Sequence, residues 1–131
     1  MGESFSASDL MDKMRSEVTE TFKETGQPNM WQLKTSNDLI VIIKDAHQEV
    51  VDSFDKVTNK WKRKAIKQFI NGEVVRKVED AVLKQFQLAL NSSSVPVINQ
   101  AKSRVCEGME YWKRIILKKM EGWENGNQTC D

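Results

Sequence analysis

Between Thr35 and Asn71 the chain carries neither Gly nor Pro, and Leu39, Ile43, Ala46, Val50, Phe54, Val57, Trp61 and Ala65 return every three or four positions. At about 100° per residue those steps stack all eight on one stripe of a helix. Charge is ordered along the same stretch. Asp38, Asp45, Glu49, Asp52 and Asp55 meet a single base, Lys44, in the first half, while Lys56 to Gly72 holds six bases and no acid. One long amphipathic helix, about residues 36–70, is the expected spine, capped by Thr35, Ser36 or Asn37. Asn71-Gly72 should end it in the left-handed conformation. Its weak point is Thr58-Asn59, two indifferent helix formers at which the helix can break.

The flanking segments read the same way. A helix is expected over about 7–25, with Ser6 as N-cap and Leu10, Met11, Met14, Val18 and Phe22 as its apolar face; Gly26 and Pro28 stop it. The connector 27–34 holds Met30, Trp31 and Leu33, which suit a short helical turn packed on the core. A third helix over about 73–90 is apolar through a wide arc (Val74, Val75, Val78, Ala81, Val82, Phe86, Ala89), with Leu83 and Leu90 on the far side. After the loop 91–94, a fourth helix over about 95–121 uses Ile98, Ala101, Val105, Met109, Trp112, Ile116 and Met120, tolerates Pro96 in its first turn, and extends that face to Trp123. The expected fold is all-α: one domain, residues 1–131, an antiparallel bundle of four main helices with short connections, and flexible ends at 1–6 and 124–131.

With 131 residues the chain is long enough to bury a core, and a net charge of +1 gives the whole molecule no pull toward nucleic acid or membrane. Any electrostatic function must come from how the charge is distributed. The first ten residues lack the basic and apolar regions of a secretory signal, and the longest apolar run, Leu39 to Ile43, falls far short of the roughly 20 residues that span a bilayer. Cys106 and Cys130 are too few for a disulfide framework. An intracellular, cytoplasmic protein with reduced thiols is expected, in which the sequons at Asn91 and Asn127 are chance matches.

Catalytic signals are sparse. His47, the sole histidine, sits at the edge of the long stripe, and no spacing promises it a metal or catalytic partner. There is no phosphate loop, nucleophile elbow, metal-binding cysteine pair or Glu-x-x-His motif. No enzyme activity, metal or cofactor is expected. The strongest functional feature is the basic cluster Lys56, Lys60, Arg63, Lys64 and Lys67, which a continuous helix gathers within roughly 100° on the side away from the core, with Trp61 pointing coreward between them. Lys113, Arg114, Lys118 and Lys119 are placed to add to it. Such a face suits an acidic protein surface or an anionic membrane; nucleic acid is disfavoured by the near-balanced charge and the lack of exposed stacking aromatics.

Three further expectations follow. Asp38, Asp45, Glu49 and Asp52 lie on nearly the same side as the bases, so two antiparallel copies pair acids with bases in a twofold homodimer. Met1-Gly2-Glu3-Ser4-Phe5-Ser6 formally matches an N-myristoylation signal at Gly2, although Glu3 fits it poorly and Ser6 has a rival role as cap. A small helical domain with an acylated end and a basic face resembles a retroviral matrix domain in layout, while sharing no motif with that family. The Met and Trp content also admits a helical carrier of an apolar ligand, with Met14, Met109 and Trp112 lining its pocket. The reading preferred over these is a self-associating helical interaction protein with a basic face.

Overall fold

A computed structural model describes residues 30–129 and, ahead of them, residues 12, 13, 16, 19 and 20, which are helical. The rest of the expected first helix, Gly2 and the last two residues lie outside the described part. Four helices form an all-α bundle, with no strand among the described residues: α1 (Met30–Asp55), α2 (Lys60–Ile70), α3 (Glu73–Asn91) and α4 (Val95–Thr129). The apolar connector around Met30 and Leu33 is the first turn of α1. Thr35 and Ser36, expected as caps, are therefore buried inside that helix. At the other end of the chain α4 runs on through 124–129, where a flexible tail was expected.

The expected spine is two helices. Leu39, Ile43, Ala46, Val50 and Phe54 are buried on α1, and then the ladder closes with a tight bond from the Val57 N–H to the Phe54 carbonyl at 2.9 Å. Val57 and Thr58 are β-branched and gain little from helix, and Asn59 competes for the backbone with its own amide. Its Oδ1 accepts from the Lys62 N–H at 3.0 Å, the N-cap bond that restarts the chain as α2. The restart shifts the helical phase. Ile66 and Ile70 now face the core, Val57 and Ala65 are half-buried, and Trp61 turns out to solvent.

Asn71-Gly72 ends α2, but not in the expected left-handed conformation: φ is −84° at Asn71 and −82° at Gly72. Glycine is suited there by space. A Cβ on Gly72 would stand 3.1 Å from the Phe69 carbonyl oxygen and 3.3 Å from that of Gln68.

The pairing of side chains sets the topology. Lys102 Nζ reaches Asp38 Oδ2 at 3.1 Å and Lys113 Nζ reaches Glu49 Oε2 at 3.0 Å, both 64 residues apart, so α1 and α4 run parallel. Trp112 on α4 meets Glu79 on α3, and Gly108 meets Val82, so those two helices are antiparallel as expected. Helix α2 therefore starts and finishes at the same end of the bundle. It is a cross-piece over that end, which returns the chain to the level where α1 stopped.

The α3–α4 seam is close. Val75, Val82, Phe86, Ala89 and Leu90 of α3 are buried, so Leu90 belongs to the core, whereas Val74 and Ala81 are exposed; every residue expected to face inward on α4 from Ile98 to Met120 does so. Glu79 is also buried, and its Oε2 accepts from the Trp112 indole N–H at 3.1 Å. A Cβ on Gly108 would lie 2.7 Å from Val82 Cγ2, so only glycine permits this approach. Gly108→Ala should cost about 1 kcal/mol or more, because overpacking against a stiff valine exceeds the gain in helix propensity of about 1 kcal/mol. Gly122→Ala, with nothing within 4 Å, should collect that gain. Urea unfolding of the two variants should move the midpoint in opposite directions.

Candidate functional site

The break in the spine divides the expected basic stripe. Lys56 lies in the turn after α1, outside the α2 wheel; Lys60 and Lys64 are exposed on α2, while Arg63 and Lys67 are half-buried. With Ile66 and Ile70 facing the core, the opposite side of α2 consists of Lys60, Trp61, Lys64 and Gln68, spread over roughly 100°. Trp61, expected to point coreward, is 73 % exposed, with Lys64 Nζ 5.9 Å from its ring centroid. Among the described residues Lys56, Lys60 and Lys64 have no carboxylate partner. The acids bounding this segment, Asp55 and Glu73, stand at its two ends, and Glu73 pairs with Lys77 at 3.5 Å.

Arg63 has a different role from the one its spacing suggested. Its Nη1 donates to the Val57 carbonyl at 2.8 Å and to the Phe54 carbonyl at 3.1 Å, and its guanidinium carbon lies 4.1 Å from the centroid of the Phe54 ring. The Phe54 carbonyl, which also accepts the Val57 N–H, and the Val57 carbonyl in the turn beyond it both lie where the α1 ladder ends. A planar cation that stacks and donates at once is suited to them; lysine is not. Arg63 thus locks α2 onto α1.

Helix α4 contributes less to the basic end than its sequence suggested. Lys113 is committed to Glu49 and, at 3.3 Å, to Glu110, and the Glu49 bond is the main cause of its raised pKa. Arg114 stands 5.9 Å from the Tyr111 ring. Lys118 and Lys119 are exposed, with Lys119 Nζ 5.3 Å from the Phe69 ring, which puts them at the α2 end.

The acidic set is partly used inside the chain. Lys102, and then Lys34, hold the Asp38 carboxyl below its ordinary value, and Glu49 is paired with Lys113. Asp52 accepts from the Gln48 amide at 2.8 Å. A twofold dimer built on these acids has to compete with those intramolecular pairs.

The other candidate residues lie elsewhere in the bundle. His47 is half-buried, and burial lowers its pKa from the ordinary 6.5. Cys106 is a free, exposed thiol. Among the described residues no group of three or more His, Cys, Asp or Glu is placed to hold a metal ion, and no helix is long and apolar enough to cross a membrane. An open groove of about 410 Å³ runs between α3 and α4, lined by Val78, Ala81, Val82 and Gly108 with Lys77 and Arg104 at its edge. Met109 and Trp112, expected to line an apolar-ligand pocket, are packed in the core away from it. No protein-family model, curated protein or solved structure matches this chain, so function has to be read from the surface itself.

What the spacing could not reveal was the exposed indole and the structural arginine. The one available signal was Asn59, a strong N-cap residue directly after two β-branched residues, which argues for a restart of the helix.

Two expected outcomes separate structural from surface cations. Arg63→Ala should lower stability by about 1.5–3 kcal/mol, the range for hydrogen bonds from a charged donor, whereas Lys60→Ala and Lys64→Ala should stay within about 0.5 kcal/mol of the parent in urea unfolding. The lowered pKa of His47 predicts a pH slope. Between the folded pKa and the ordinary 6.5 the unfolded chain binds more protons, so stability falls as pH drops below 6.5 and is flat just above it. Thermal melts between pH 5 and 7 should show this slope, and His47→Gln should remove it.

Proposed function

We propose that this chain is a non-enzymatic, intracellular helical interaction protein that meets an acidic or anionic partner with the basic end of its bundle. The observation that carries this reading is the outward face of α2, where Lys60 and Lys64 stand exposed in a segment, Lys56 to Gly72, without a single acid. Unpaired ammonium groups on one face attract negative charge over about a Debye length, roughly 8 Å at physiological salt. Elsewhere among the described residues, α1 is tied to α4 by ion pairs, and α3 to α4 by a tight apolar seam. Partner contacts are assigned to Lys56, Lys60 and Lys64, with Lys67 at the margin; Arg63 supports them from beneath.

The test is retention on an immobilised polyanion such as heparin at neutral pH. The Lys60→Glu, Lys64→Glu double variant should elute at clearly lower salt than the parent and keep the same helical circular dichroism. An equal double reversal on the exposed part of α3, Lys77→Glu with Lys84→Glu, should change elution much less. If the two doubles elute together, charge at the α2 end has no special part in binding.

A further inference from the structure

We infer that the partner of this surface is a lipid bilayer bearing anionic headgroups, met by α2 lying along the membrane plane with the Trp61 indole in the interfacial layer. This rests on the reading of the basic end as a polyanion-binding surface, and it names the anion.

An indole left 73 % exposed forfeits burial that an aromatic side chain ordinarily supplies to a core, and Trp61 does so although α2 has a core face of its own in Ile66 and Ile70. Its neighbours on the outward side are Lys60, Lys64 and Gln68, none of them apolar. Tryptophan beside lysine is the combination that the bilayer interface accepts: the ring sits at headgroup depth, and the lysine stems lie along it with their ammonium groups among the phosphates.

Three features favour a membrane over an acidic protein. The first is shape. The outward side of α2 is the exposed side of a single helix across the end of the bundle, and the open groove between α3 and α4 is lined by none of its residues. The second is the choice of cation. Specific protein carboxylates are best matched by the two-pronged guanidinium, and Arg63 is engaged with the Phe54 and Val57 carbonyls. What remains outward is lysine, a mobile point charge suited to headgroups that exchange places. The third is access. Lys56 is exposed in the turn before α2, and Lys119 on α4 stands 5.3 Å from the Phe69 ring, so further cations border the same end of the bundle.

Such binding is shallow and reversible. Each lysine near an anionic leaflet contributes about fivefold in affinity, and the effect falls within a Debye length, so salt should weaken it steeply.

The experiment uses the full chain with vesicles of phosphatidylcholine alone, or mixed with phosphatidylserine, read by co-sedimentation and by quenching of tryptophan with lipids brominated near the headgroup. Binding is expected only with phosphatidylserine and should fall as salt is raised. Trp61→Ala should weaken it about tenfold, as expected for returning part of an indole to water. Of the four tryptophans, Trp61 should carry the bromolipid quenching, which Trp61→Phe abolishes. Because Trp61 is exposed, both variants should keep the parent's circular dichroism and unfolding midpoint. If Trp61→Ala binds vesicles as the parent does, or if the protein is retained by heparin yet ignores anionic vesicles, the lipid inference is overturned while the polyanion reading stands. If the Lys60→Glu, Lys64→Glu double changes neither vesicle nor heparin binding, both are overturned.

Discussion

The carbonyl of Phe54 in the last turn of α1, that of Val57 in the turn beyond it, and the guanidinium of Arg63 that reaches back to both hold the key to this architecture. Where the α1 ladder stops, the Phe54 carbonyl keeps only the short bond from the Val57 N–H, and a nearby donor that adds to it lowers the cost of ending the helix. Arg63 supplies that donor from the first turn of the next helix and covers the Phe54 ring at the same time. Because the two helices are joined this way, α2 can turn across the end of the bundle instead of prolonging α1. Its phase, and with it the identity of the exposed residues, follows from that turn.

The remainder of the bundle orients around the cross-piece. Since α2 adds no full-length strut, α3 descends and α4 rises beside α1, and the two parallel helices are tied at two levels by Asp38–Lys102 and Glu49–Lys113. Ion pairs this exposed contribute about 0–1 kcal/mol each, so they select register more than they stabilise. Apolar burial shared by all four helices supplies the stability, and at the seam between α3 and α4 Gly108 lets Val82 approach while Trp112 fills the interior with its N–H satisfied by Glu79. A carboxylate retained in that position keeps the indole from losing a hydrogen bond on burial.

The same division of labour explains the surface. Asp38 and Glu49 of α1 are drawn into the fold by Lys102 and Lys113 of α4, whereas Lys60 and Lys64 of α2 have no carboxylate partner among the described residues. Fold and proposed function thus use different parts of one charge pattern. An exposed indole among those lysines adds an apolar contact to an electrostatic one, which is why the outward side of α2, and not the groove beside Gly108, is assigned the partner.

Much of the helical content was legible along the chain, because apolar spacing of three and four residues leaves little choice of secondary structure. The core of α4 from Ile98 to Met120 and that of α1 from Leu39 to Phe54 could be named residue by residue. The basic composition of the Lys56–Gly72 segment was equally plain. Spacing alone, however, could not locate Trp61, since one turn at Lys56–Asn59 rotates everything after it and an intact stripe looks the same whether or not it is interrupted. Nor could it separate Arg63 from Lys64, neighbours of like charge, one facing the end of a preceding helix and the other water. Local periodicity specifies which residues are able to share a face; which face meets the core depends on where the chain turns and on which long-range acceptors await its donors, and those are properties of the packed molecule.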